Sequence, residues 1–175
     1  MLLRNMASRR KRATAEEMKA LAHPLRLRII RALYDGPRSN KELADGLHED
    51  PATVLYHVRT LLKTGFVKPA GTRRGARGST EKLYRSTGKS WNMDVDLGLP
   101  ASGQVSQATL DAFLAELREG GPDALLETAR LALVLSPERR AEFNARLGEL
   151  LDEYAFDEDA DGERIAVFYA MHLRA

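Results

Sequence analysis

A mainly α-helical chain carrying one β-hairpin, followed by a mostly helical C-terminal region with short strands, is the fold class this sequence predicts. Three observations predict it. Residues 39–65 read as two short helices joined by a tight turn. After Gly65 the hydrophobic period switches from helical to alternating, around a tip rich in glycine and arginine. The charge is also sorted along the chain. Residues 1–90 hold 20 Lys and Arg against 8 Asp and Glu, whereas residues 91–175 hold 7 Arg against 17 Asp and Glu. A formal net charge of +2 hides this division. The first half is built to meet a polyanion and the second is not.

The 175 residues suffice for one domain or two small ones. The longest apolar run, LALVL at Leu131–Leu135, is far too short to cross a bilayer. Arg4, Arg9, Arg10, Lys11 and Arg12 make the N-terminus basic, with no apolar stretch of a secretory signal behind them. Cysteine is absent, which excludes disulfides, thiolate metal sites and a cysteine nucleophile. A soluble, cytoplasmic protein with no membrane association is the expectation.

Taken in order, residues 1–13 form a basic arm without periodicity, able to touch phosphate or a minor groove. Thr14 caps a helix running to about His23, with Glu16 and Glu17 in its first turn and Met18, Leu21 and Ala22 on its apolar side. Pro24 starts a second helix that ends near Gly36 and Pro37. Its core stripe is Leu25, Ile29, Ala32 and Leu33, while Arg26, Arg28 and Arg31 lie elsewhere and face DNA or solvent. Ser39 and Glu42 then make a capping box for a third helix, whose apolar face is Leu43, Ala44 and Leu47. Gly46 and the polar run His48–Asp50 interrupt it.

Asp50 caps the fourth helix, with Pro51 at the first helical position, where a missing N–H costs nothing. Val54, Val58, Leu61 and Leu62 follow helical spacing and form a buried stripe, and Gly65 terminates the helix. The other face carries Thr53, Tyr56, His57, Arg59, Thr60 and Lys63. An apolar back with a polar, partly basic front suits a helix lying in a DNA major groove. FVKPA and EKLYRST then read as strands around a tip at Gly71–Ser79, where Arg73, Arg74 and Arg77 can reach phosphates or a narrow minor groove. Such a basic hairpin beside a recognition helix is a wing.

The segments LAHPLRLRIIRALYDGPRSNKELADGL and DPATVLYHVRTLLKTGFV, with the RRGARG wing, resemble the winged helix-turn-helix of ArsR-type bacterial transcriptional regulators, in their cysteine-free actinobacterial branch. The resemblance covers about residues 14–91. It implies a DNA-binding regulator, most often a repressor, that meets a near-palindromic operator as a homodimer. By position it makes Thr53, Tyr56, His57 and Arg59 the base readers. Ser39, Asn40, Lys41, Ala52 and Lys63 join them as expected DNA contacts, with Arg73, Arg74 and Arg77 on the wing. The family's metal sensors carry cysteines that this chain lacks, so thiolate sensing is excluded. Leu55 stands where the family often has a small polar residue.

Beyond Lys89, the alternation of Trp91, Met93, Val95 and Leu97 suggests a strand, and Leu99–Gln104 a linker. Ser106–Glu119 reads as a helix with Leu110, Phe113, Leu114 and Leu117 on one face. Pro122–Leu135 reads as another, bearing Leu125, Leu126, Ala129, Ala132 and Leu133. Ser136 and Pro137 open a third, with Phe143, Leu147, Leu150, Leu151 and Tyr154 as its stripe. Ile165, Val167, Tyr169, Met171 and Leu173 alternate as a final strand, able to pair with the Trp91 strand. The expected plan is an arm at 1–13, a DNA-binding domain at 14–90 and an acidic dimerisation or effector region at 91–175. Trp91, Met93, Phe113, Phe143 and Tyr154 are candidates to line an effector cavity.

Sites of other chemistry are weaker. His23, His48, His57 and His172 have no metal-ligand spacing, and capping, packing or DNA contact serves each better. Asp157, Asp159, Asp161 and Gly162 begin like a calcium loop, but the twelfth position, which needs a bidentate Glu, is Phe168. Ser79, Ser86 and Ser90 lack a nucleophile elbow, and the wing tip is no P-loop. No cofactor, metal or catalytic residue is expected. The rival readings are an enzyme or ligand-binding protein with its site in 91–175, or a winged-helix module for protein or RNA.

Overall fold

The computed structural model describes residues 11–75, 78–94, 101–155 and 162–173. Two compact units divide the chain after Leu125. In the first, Lys11–Leu125, β1 (Lys11–Arg12) leads into α1 (Ala15–Leu21), α2 (Pro24–Ala32), β2 (Arg38–Ser39), α3 (Asn40–Leu47) and α4 (Pro51–Lys63). The hairpin β3 (Val67–Arg74) and β4 (Thr80–Ser86) follows, then β5 (Met93–Asp94) and α5 (Ser102–Gly120). α6 (Pro137–Tyr154) belongs to the second unit.

The predicted caps form. Thr14 with Glu17, and Ser39 with Glu42, make reciprocal capping boxes, and the Asp50 carboxylate accepts from the N–H groups of Ala52 and Thr53 at 2.9 and 3.0 Å. Each satisfies orphan donors of the first turn. The turn between α3 and α4 rests on His48 at φ 55°, a left-handed conformation that a non-glycine residue adopts at a cost. Beneath these helices Met18, Ile29, Leu33, Leu43, Val54, Val58, Leu61 and Phe66 are closed off from solvent. β2 pairs antiparallel with β4, and β4 with β3, so the hairpin is part of a three-stranded sheet whose inner face buries Val67 and Tyr84 on the helices. The winged helix-turn-helix fold is thus present.

Several expectations are corrected. Arg28 is buried rather than facing DNA or solvent. Its guanidinium pairs with Glu119 of α5, donates to the Leu47 carbonyl at 3.4 Å and lies 4.0 Å from Glu49. Arg26 folds back onto the Lys19 carbonyl at 2.9 Å. The arm ends in order: Lys11 and Arg12 pair in parallel with Met93 and Asp94, and Ala13 is buried. Of the predicted Trp91–Leu97 strand, Trp91 and Asn92 sit in a turn, Met93 and Asp94 form the strand, and Val95 and Leu97 lie outside the described residues.

α5 starts at Ser102, inside the predicted linker, and packs on α1 and α2 through Val105, Ala108 and Ala112. Small side chains let the backbones approach. The bulkier Phe113, Leu114 and Leu117 are half-buried and Leu110 is exposed. The expected boundary at residue 90 therefore cuts through one packed unit.

In the second unit α6 begins at the Ser136 cap as expected, with the rings of Phe143 and Tyr169 6.3 Å apart. The predicted helix at 122–135 is instead a single 3-10 turn, Pro122–Ala124, followed by exposed, irregular chain. A short amphipathic helix with no surface to pack against is marginal in water. The predicted strand through Ile165–Leu173 is instead irregular and largely exposed chain, since alternation specifies a strand only when a neighbouring strand accepts it. The calcium-like loop falls largely outside the described residues. Among those described, no helix is long and apolar enough to cross a membrane.

Candidate nucleic-acid interface

α4 is the centre of the candidate site. Its inner stripe of Val54, Val58 and Leu61 is completely buried, and this fixes which side chains face out. Ala52, Thr53, Tyr56, Arg59 and Lys63 are exposed, Tyr56 by 66%. Arg59 makes no ion pair among the described residues, whereas Lys63 reaches back to Glu16 of α1 at 2.8 Å.

His57 does not belong to that face. It is 7% exposed, with its ring 4.3 Å from His23 and edge-on to Tyr56 at 5.2 Å. Burial, with His23 and Arg26 adding like charge, lowers its pKa to about 4, so the ring is neutral at ordinary pH. The polar side chain suggested an outward position, but the rings of His23 and Tyr56 pack against it. His57 thus packs under Tyr56 rather than standing on the exposed face.

The start of α3 is also partly used up. Ser39 is buried and its hydroxyl accepts from the Glu42 N–H as the helix cap. The Asn40 amide donates to the Pro51 carbonyl at 2.9 Å and so ties α3 to the start of α4. Lys41 is exposed. It shares a shallow cavity of about 120 Å³ with Asn40, Glu81, Lys82 and Tyr84. Lys82 is exposed two residues before the buried Tyr84, a position the sequence reading, which confined wing contacts to the tip, did not single out.

The strands of the wing run further than expected. β3 continues through Arg74, so the connection is five residues long rather than nine. Arg73 faces Glu81 and Arg74 faces Thr80 across the ladder, an opposite-charge pair that extends the hairpin. An irregularity between Pro69 and Thr72 bends it, with Gly71 at φ 101° supplying the conformation that other residues avoid. Arg73 lies 2.8 Å from Glu81 and 2.9 Å from Glu42 of α3. Arg74 is exposed and makes no ion pair among the described residues. Arg77 lies outside them.

Lys89 closes the back of the hairpin, bonding the Thr64 carbonyl and the Glu17 carboxylate, each at 2.6 Å. That cation and the Thr14 N–H hold the Glu17 pKa down to about 2. No group of His, Asp or Glu side chains able to hold a metal occurs among the described residues.

This arrangement defines a helix-turn-helix protein with a wing. A family described as "Helix-turn-helix domain" matches residues 21–70. The repressor SmtB of two Mycobacterium tuberculosis strains is 37% identical to this chain over 73 residues, 42% of this chain and 50% of SmtB. The chain thus spans about half the length of the curated relatives it matches. Among solved structures it is similar to a Lactococcus lactis ZitR mutant in apo form at 16% identity, with a TM-score of 0.35, covering 76% of this chain and 83% of that one. Wild-type L. lactis ZitR in complex with DNA is similar at 15% identity, with a TM-score of 0.32, covering 75% of this chain and 74% of that one.

Proposed function

We propose that the protein is a cytoplasmic, sequence-specific transcriptional repressor of the ArsR type that binds duplex DNA as a homodimer. The observation that carries this reading is the outer face of α4. Thr53, Tyr56 and Arg59 stand exposed on a helix whose opposite face is wholly buried, beside a hairpin bearing Arg74 and Lys82. Side chains fixed this way present a constant pattern of donors, acceptors and apolar surface, which is what base reading requires. The excess of Lys and Arg in residues 1–90 supplies the long-range attraction to phosphate.

Two α4 helices enter successive major grooves about one helical turn apart, and the bound dimer occludes polymerase. Thr53 and Tyr56 meet base edges, while Lys41, Arg59, Lys63 and the wing hold backbone. The apolar residues left open on α5 and on residues 125–173, among them Leu110, Leu126, Leu131, Val134 and Val167, support self-association. An effector acts by favouring one spacing of the two α4 helices over another.

Selection of duplexes from a random library, followed by competition against unrelated DNA, tests the reading. The expected result is a near-palindromic site bound at least about a thousandfold more tightly than random sequence. Equal affinity for all duplexes, or preference for RNA, overturns it. Light scattering at micromolar concentration checks the dimer, and a monomer there refutes that part.

A further inference from the structure

The two neighbouring arginines of the wing have opposite surroundings. Arg73 is held by two carboxylates, Glu81 across the hairpin at 2.8 Å and Glu42 of α3 at 2.9 Å. Glu42 is itself anchored, because its other oxygen accepts the Ser39 N–H at 2.7 Å in the capping box. A continuous chain therefore runs from the start of α3 through Glu42 and Arg73 to β4. The planar guanidinium suits this bridging, as its fork of donors can serve two carboxylates at once. With one cation and two anions the cluster carries net negative charge, which opposes a phosphate at that spot. Arg74, on the opposite face of the strand by alternation, is exposed and makes no ion pair among the described residues.

We propose that Arg73 is a positioning residue that sets the angle of the wing against α3, and that Arg74 is the arginine of β3 that contacts phosphate. The inference rests on the DNA-binding reading and divides the wing arginines into two roles. Its rival is that Arg73 is a phosphate contact masked by its carboxylates until DNA displaces them. The two differ in sign. If Arg73 positions the wing, neutralising either carboxylate loosens the wing and weakens binding. If the carboxylates merely mask it, neutralising them strengthens binding and steepens its salt dependence.

The test measures operator affinity across a salt series for full-length wild type, Glu42→Gln, Glu81→Gln, Arg73→Ala, Arg73→Lys and Arg74→Ala. Glutamine at position 42 keeps the capping box, so α3 stays capped. The expected results are a loss of about three- to tenfold for Glu42→Gln, Glu81→Gln and Arg73→Ala with an unchanged slope, the scale of reordering one or two side chains on binding. Combining Glu42→Gln with Arg73→Ala adds nothing further. Arg73→Lys behaves like Arg73→Ala, since an ammonium keeps the charge but not the fork. Arg74→Ala flattens the plot of log affinity against log salt by about 0.9 per contact, or about two units in the dimer. Tighter binding by Glu42→Gln or Glu81→Gln, or rescue by Arg73→Lys, overturns the assignment.

Should the wild type bind no duplex at all, the DNA reading falls by itself. The positioning role is then read from hydrogen exchange of the β3 and β4 amides. It requires faster exchange in Arg73→Ala but not in Arg74→Ala, and equal exchange in both overturns it.

Discussion

Lowering the pH from 7.5 to 5 should destabilise the protein through His57, and replacing His57 with phenylalanine should remove much of that effect. The ring is buried against His23, and its Nδ1 meets no hydrogen-bond partner among the described residues. Its pKa is about 4 in the folded protein against 6.5 for an ordinary histidine. Between those values the unfolded chain takes up a proton that the folded one refuses. The contribution is therefore complete above pH 6.5 and is lost as the pH falls toward 4. From that shift the loss is about 1 kcal/mol at pH 5.5 and about 2 kcal/mol at pH 5.

His23, lowered for the same reason of burial, adds to the loss in the same direction. Glu17 begins to titrate only below about 4.5, outside this window. Phenylalanine keeps the ring and its volume but cannot titrate. Urea unfolding of wild type and His57→Phe at pH 7.5 and 5, followed by circular dichroism, isolates the term as a difference of differences. The wild type should lose about 1 to 2 kcal/mol more than the variant. Identical losses, with unchanged m-values, would show that the ring is hydrated or hydrogen-bonded in solution, and its burial in α4 would be refuted.

Tyr56→Ala should change the preferred base sequence, and an equal loss on operator and random duplexes would remove Tyr56 from the base readers. Arg28→Ala should cost about 2 to 3 kcal/mol, because the buried guanidinium joins α2, the end of α3 and α5; thermal melting that moves by less than a degree or two contradicts this. His48→Gly should stabilise by about 0.5 to 1 kcal/mol by relieving the left-handed turn, and calorimetry showing a loss would mean the side chain holds that turn. A chain ending after Leu125 should keep a cooperative melt within a few degrees of the full chain, since the buried core lies in Lys11–Leu125. Loss of cooperativity would place part of that core's stability in the second unit.

The sequence by itself determined the elements whose signals are local. A capping box needs two residues three apart, a helix stripe needs one face, and both are read from a few positions. Thr14, Ser39, Asp50 and Ser136 cap as expected, and Leu43, Val54, Val58 and Leu61 are buried as expected. The sorting of charge between the halves needed only counting.

Tertiary structure decided whatever depends on a distant partner. Arg28 looked like a surface cation until Glu119, far along the chain, came to meet it. His57 looked like a reader until His23 covered its ring. Arg73 looked like a tip residue reaching for phosphate, but Glu81 and Glu42 close on it. α5 buries Val105, Ala108 and Ala112 rather than its leucines, because helices that approach closely on α1 and α2 select small side chains. The alternating tail and the 125–135 segment show the converse. Periodicity states which face would be buried, but only a neighbouring surface makes burial favourable, and most apolar side chains of these two segments stand exposed.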